Sequence, residues 1–246
     1  MFRNRREAGR ILAPRLQHLA GERPVVLALP RGGVPVAYEI ARALHAELDL
    51  LLVRKLGAPG HEEVGIGAVV DGADPQIVLN EAVMRQIAPS PDYIRAEVMR
   101  QLRELERRRQ LYRGDRKPPE VAGRTVIVVD DGIATGGTIR AALRGLRKSG
   151  PDRLVLAVPV SPREVAEQLS SECDELVCLL LPEPFHAVGA HYADFTQTTD
   201  AEVVELLKDA DVSLSGASDQ LRMPQHGLRE EAHRRCHFHN EFRGVL

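Results

Sequence analysis

The sequence predicts an α/β protein with a mostly parallel sheet covered on both faces. Three observations predict it. Short unbroken apolar runs recur along the chain, segments of helical periodicity separate them, and Gly-rich or acidic junctions mark the passage from one to the other. The runs are VVLAL (25–29), LDLLLVRK (48–55), RTVIVVDD (124–131), RLVLAVPV (153–160) and DELVCLLLP (174–182). The intervening helical segments are AYEIARALHAEL, IRAALRGLRKSG, whose terminal Gly150 suits a helix C-terminus, and PREVAEQLSSE.

Other elements follow in order. Phe2, Ile11, Leu12, Leu16 and Leu19 recur near helical spacing and Glu7 interrupts the positive charge, so the Arg-rich start reads as an amphipathic helix packed on the domain rather than a transit peptide. Leu56–Asp74 is rich in Gly and Pro, with only Val64–Val70 strand-like, and its length suggests a mobile functional flap. Asn80–Arg116 is helical and densely charged in its second half, which reads as a solvated, salt-bridged helix. A last helix near Asp200–Ala210 precedes a polar tail, giving a domain over 1–212 and a tail over 213–246.

Bulk properties narrow the function. With 33 basic and 35 acidic residues the 246-residue chain has a net charge of -2, so nucleic acid is not an expected partner. Aromatic residues make up 4% and Trp is absent, which argues against a stacking platform for single strands. No apolar run is long enough for a membrane helix. Cys173, Cys178 and Cys236 are too few and unevenly spaced for a disulfide framework, and reduced thiols in a cytoplasm are expected.

The segment VIVVDDGIATGGT (126–138) carries the chemistry. Ligands in open α/β sheets bind beyond the carboxyl ends of strands, where Asp130 and Asp131 emerge. Gly132, Gly136 and Gly137 let the backbone turn and present N–H groups, Thr135 and Thr138 add hydroxyl donors, and the following helix points its positive end at the same place. Amides suit a phosphate; paired acids suit sugar hydroxyls and a hydrated cation. No Lys follows the glycines and no G-x-G-x-x-G follows a strand, so neither a Walker A loop nor a dinucleotide fingerprint is present.

This segment resembles the signature of the type I phosphoribosyltransferases, which bind 5-phosphoribosyl-1-pyrophosphate (PRPP): four hydrophobic residues, two acids and a Thr/Gly-rich phosphate loop. The resemblance extends over the strand–helix order from Val25 to about Leu181. It implies a three-layer sandwich whose sheet has one antiparallel strand, placed at Val64–Val70, and a Mg2+-dependent transfer of ribose 5-phosphate to a nitrogenous acceptor with release of pyrophosphate. Asp130, Asp131, Gly132, Ala134, Thr135, Gly136, Gly137 and Thr138 would bind PRPP, with Asp130 and Asp131 facing the metal. LPRGGVPVA (29–37) would hold pyrophosphate through Gly32 and Gly33, with Arg31 as a charge partner and a cis non-proline peptide near it. Arg54 and Lys55 would close the second strand on the same rim and, with Arg31, act as the catalytic residues that stabilise charge growing on pyrophosphate, and Leu56–Asp74, containing His61, Glu62 and Glu63, would be the closing loop.

One position departs from the 6-oxopurine-specific members, which carry Asp where this chain has Ala134; A-T-G-G-T is closer to adenine-type members and does not fix the base. The acceptor would lie under a cover made of the N-terminal helix and residues 182–200, where Phe185, Tyr192 and Phe195 either stack on a ring or pin the loop. PRPP and a small-molecule acceptor are the expected partners, with a homodimer left open. His226, His233, Cys236, His237 and His239 crowd the tail without a paired C-x-x-C. Two alternatives stay open: a regulator that senses PRPP or nucleotide without turnover, and an RNA-binding regulator using the Arg-rich helix.

Overall fold

The computed structural model describes residues 1–72 and 74–220, with side chains to Leu214; the tail His/Cys group lies outside the described residues. In chain order the elements are α1 (Arg5–Leu12), a 3-10 segment (Ala13–Glu22), β1 (Val25–Ala28), α2 (Gly33–Leu44), β2 (Glu47–Leu50), β3 (Val53–Ala58), β4 (His61–Val70), β5 (Gln76–Leu79), α3 (Glu81–Ile87), α4 (Pro91–Arg113), β6 (Thr125–Val129), α5 (Gly137–Lys148), β7 (Arg153–Val160), α6 (Arg163–Ser170), β8 (Glu175–Leu180), a short 3-10 turn (Val188–His191) and α7 (Asp200–Gln220). Met1–Leu214 form one compact unit.

The main sheet runs β2-β1-β6-β7-β8 with every pairing parallel. Its apolar strands bury both faces by the two-residue alternation of the pleat. Val26, Ala28, Ile127, Val129, Val155 and Ala157 pack with Leu12, Leu16 and Ile40 in one core. Val25, Leu27, Val126, Val128, Leu154 and Leu156 pack with Ile139, Leu143 and Leu146 of α5 in another. The result is a helix–sheet–helix arrangement of three layers. From the centre the chain proceeds from β1 to β2 in one direction and from β6 through β7 to β8 in the other, so β1 and β6 flank the topological switch point.

The antiparallel strand expected at Val64–Val70 exists as β4, but it belongs to a separate three-stranded sheet, β3-β4-β5. The run at 48–55 is correspondingly two strands. After Leu50 the chain leaves the parallel sheet, with Leu51 N–H donating to Ala28 O and Asp71 N–H donating to Leu52 O, and β3 opens the second sheet. Arg54 and Lys55 therefore sit on β3 and not on the rim of the parallel sheet. Val53–Val70 pairs as a β3–β4 hairpin, whose register is fixed by the fully buried Leu56, Ala58, Ile66, Val69 and Val70. Gly67 is required there: a Cβ would lie 2.4 Å from Val78 O of β5.

Two further differences have local causes. The helical region from Asn80 breaks into α3 and α4, since Ala88 takes a left-handed conformation and Pro89 and Pro91 flank a new cap at Ser90. At the N-terminus, Phe2, Leu12, Leu16 and Leu19 are buried as expected, whereas Ile11 is 47% exposed. Cys173 is buried and Cys178 half-buried, both as free thiols that burial pushes up to about 11.

Much of α4 matches the salt-bridged reading: Arg100 pairs with Glu97, Arg107 and Arg108 with Glu104, and Arg109 with Glu106. Arg113 does not. Its side chain is 3% exposed and bridges Asp49 at 2.7 Å and Asp71 at 2.6 Å, so α4 is tied to the end of β2 and to the chain leaving β4. Burial pushes the Asp49 carboxyl up, against the opposing pull of Arg113. Removing this guanidinium strips buried Asp49 of its ion pair and leaves Asp71 to Arg109 alone, so Arg113→Ala is expected to lower the unfolding free energy by about 3–5 kcal/mol, measured by urea denaturation.

Candidate active site

The turns that follow β1 and β6 meet at the switch point. After β1 the chain runs through Leu29 into the turn Pro30–Gly33, where the Pro30–Arg31 peptide is cis, and Gly33 opens α2. Leu29 N–H donates to Val129 O, which keeps the two turns in step. A Cβ on Gly32 would lie 2.1 Å from Asp131 Oδ2, and one on Gly33 would lie 2.7 Å from Val129 O. The turn can lie this close to the acids only because both positions are glycine.

Asp130 and Asp131 leave β6 together. Asp131 N–H donates to Asp130 Oδ1 at 2.8 Å, which fixes their relative orientation. Burial, and then the neighbouring charge of Asp131, push the Asp130 pKa well above the ordinary carboxylate range. Asp131 is held by a residue that the sequence reading did not single out. Arg5 Nε donates to Asp131 Oδ2 at 2.7 Å, and Arg5 Nη1 donates to Thr196 O at 2.8 Å. A signal for it existed. Arg5, Ala8, Gly9 and Leu12 are the buried residues of α1, so this arginine falls on the apolar stripe of the helix.

The loop from Gly132 to Thr138 completes the crevice. Ile133 is buried and its N–H donates to Val160 O, anchoring the loop to β7, while Ala134, Thr135, Gly137 and Thr138 are exposed. Gly136 occupies the N-cap of α5 at φ 73° and supplies no side-chain cap, so the first amides of α5 remain open to an anion. A Cβ on Gly136 would also meet Val165 at 2.8 Å, so packing against α6 restricts this position too. Gly132 is restricted by Val188 and Val160, which a Cβ would approach to 2.5 and 2.9 Å.

Arg54 and Lys55 reach the loop through a different route from the one expected. With Thr135, Gly137, Thr138, Arg140 and Arg144 they line a cleft of 790 Å³. Arg54 Nε donates to Gln101 Oε1 on α4, and burial followed by nearby Arg108 lowers its pKa from the usual guanidinium value. Lys55 Nζ is bound to Glu63 across the hairpin. Arg31 lies 3.7 Å from Asp200, which also accepts from Tyr112 at 2.5 Å.

The N-terminal segment and residues 182–200 pack against each other beside this crevice. Phe2 forms a parallel bridge with Tyr192, and Ala193 and Asp194 N–H donate to Phe2 O and Arg3 O. Tyr192 is 5% exposed, packs between Phe2 and Phe195, and donates its hydroxyl to Asp131 O at 2.6 Å. Its ring is thus structural and offers no face to an acceptor. Phe185 is half-buried and stacks on His191, and Phe195, 38% exposed, lies under the Arg5 guanidinium at 3.9 Å. Arg5 also lines a polar pocket of 330 Å³ with Asn4, Arg6, Asp194, Thr196 and Glu202.

The site is an open helix N-terminus beside paired carboxylates at the switch point of a parallel sheet, a geometry that suits an anionic group. The phosphoribosyl transferase domain family matches residues 3–193, and the chain belongs to that family. Its relatives include a Mycobacterium tuberculosis protein provisionally named a phosphoribosyl transferase, 46% identical over 233 residues that cover 94% of this chain and 52% of that protein. The chain spans about half the length of the curated relatives it matches. The crystal structure of TT1426 from Thermus thermophilus superposes with a TM-score of 0.74 at 45% identity, covering 85% of this chain and 98% of that one. A bifunctional protein PyrR of Brevibacillus brevis is 36% identical over 83 residues, 30% of this chain and 46% of its own length.

The loop geometry yields a test. In Gly136→Val a β-branched side chain must adopt a left-handed backbone and displace Val165, so a loss of about 1–3 kcal/mol of stability is expected, seen as a lowered midpoint in differential scanning calorimetry.

Proposed function

We propose that the protein transfers ribose 5-phosphate from PRPP to a nitrogenous acceptor, most simply a nucleobase, with release of pyrophosphate. The observation that carries this reading is the meeting, at one crevice, of an acid pair, an uncapped helix N-terminus and a Gly-Gly turn that leaves no room for side chains. A phosphate alone would be repelled by the carboxylates, and a sugar alone would not need the amides. A sugar phosphate uses both.

In this reading the amides of Ala134–Thr138 and the Thr135 and Thr138 hydroxyls grip the 5-phosphate, and Asp130 and Asp131 accept from the ribose hydroxyls. The Gly32–Gly33 turn and the N-terminus of α2 receive the pyrophosphate, with Arg31 beside it. The carboxylates also lie near the ring as positive charge develops at C1, the pattern general to glycosyl transfer. The acid pair suits Mg2+ that arrives on ligand oxygens, because that ion takes one or two carboxylates and completes its shell with water and phosphate; when bound it neutralises charge on the departing pyrophosphate. Lys55 and Arg54 approach the loop from the second sheet, and release of Lys55 from Glu63 would free its charge for the ligand.

The experiment is a pyrophosphate-release assay with PRPP, magnesium and a panel of bases. Base-dependent release supports transfer; binding without release supports a sensor, and absence of both removes the reading. Asp130→Asn/Asp131→Asn, which keeps the shape of the site and an acceptor for Arg5, is expected to weaken PRPP binding by about 100-fold or more in titration calorimetry, since two charge-assisted hydrogen bonds are lost.

A further inference from the structure

Arg5 joins three parts of the site through one guanidinium. Nε meets Asp131 Oδ2 at 2.7 Å, Nη1 meets Thr196 O at 2.8 Å, and the planar group lies 3.9 Å above Phe195. Its side chain is 10% exposed, so these contacts are made out of water, where they are strong and geometrically demanding. Tyr192 reinforces the link by donating to the backbone oxygen of Asp131. The other charges of α1 are used differently: Arg6 and Arg10 both pair with the buried Glu39 of α2, which Arg42 also contacts. Arg5 alone among these faces the acid pair.

We propose that Arg5 is a positioning residue, a resident counter-ion that holds Asp131 in the orientation a sugar hydroxyl needs and couples that orientation to closure of the cover. The inference rests on the reading of the crevice as a phosphoribosyl site. Two adjacent carboxylates repel each other and the anionic ligand; a fixed guanidinium on Oδ2 of Asp131 offsets that repulsion and leaves Oδ1 for the sugar. Arginine suits this task and lysine does not, because a planar fork can bridge Asp131 and Thr196 while stacking on a ring, and a point charge cannot.

The test titrates magnesium PRPP and magnesium pyrophosphate separately into the full chain and into Arg5→Ala, Arg5→Lys and Arg10→Ala. Arg5→Ala is expected to weaken PRPP by about tenfold or more, while pyrophosphate, which has no sugar hydroxyl, changes by less than about threefold. Arg5→Lys should fall between Arg5→Ala and the unaltered chain. Arg10→Ala removes one guanidinium from the same helix, leaves Glu39 two others, and should match the unaltered chain with both ligands. Unchanged PRPP affinity in Arg5→Ala would overturn the proposal, and so would an equal loss for both ligands, which would mark a merely structural role. If Arg5→Ala does not fold, Arg5→Gln, whose shorter uncharged amide keeps part of the packing and one donor group near the position of Nε, is read by the same criteria. A failure of the underlying reading looks different: the unaltered chain would then give no heat with magnesium PRPP at all.

Discussion

The site depends on how closely the Pro30–Gly33 turn approaches Asp131. With 2.1 Å between Asp131 Oδ2 and the place a Gly32 Cβ would occupy, the two turns share one volume, and the hydrogen bond from Leu29 to Val129 keeps them aligned. The parallel pairing of β1 with β6, with the chain continuing outward on either side, is what brings the turns together. The two cores on the faces of the sheet hold these strands rigid, so the acids, the loop amides and the glycine turn all rest on a common frame.

Those parts of the site were legible because their chemistry is local. Val126–Thr138 announces a strand, an acid pair and an amide-rich loop in consecutive residues, and each takes its place at the end of β6 and the start of α5. The same holds for the glycine turn after β1. What the sequence concealed was long-range. An apolar run such as LDLLLVRK reads as one strand because nothing in its composition says that Leu51 and Leu52 cross between sheets. The hairpin hid behind its own glycines: Gly57 and Gly67 signal flexibility in isolation and close backbone approach in context. Arginines posed the hardest case, since Arg5 and Arg113 are the same residue type as the solvated members of their helices and differ only in what the tertiary fold sets opposite them.

A single charge pattern recurs in three places. Asp49 and Asp71 share Arg113, Glu39 collects Arg6, Arg10 and Arg42, and Asp131 takes Arg5. In each, an acid on or near the main sheet or α2 is matched by a guanidinium from a helix that the chain delivers separately. Such pairs add little net stability relative to apolar packing, yet they penalise any other docking of the helix, because a misplaced helix leaves a buried charge alone. They therefore act mainly as registration marks, fixing α1 and α4 against the sheet to within the reach of a hydrogen bond.

The bridge between Phe2 and Tyr192 has a bearing on how the molecule is made. During synthesis, β1 and β6 can be paired and buried well before residue 192 leaves the ribosome, whereas Phe2 and Arg3 must wait for their partners. Until then α1 lacks its outer neighbour and Asp131 lacks the Tyr192 hydroxyl. The crevice consequently matures from the inside outward: the Gly132–Thr138 loop can take form on a nascent chain before the two distant segments pair beside it.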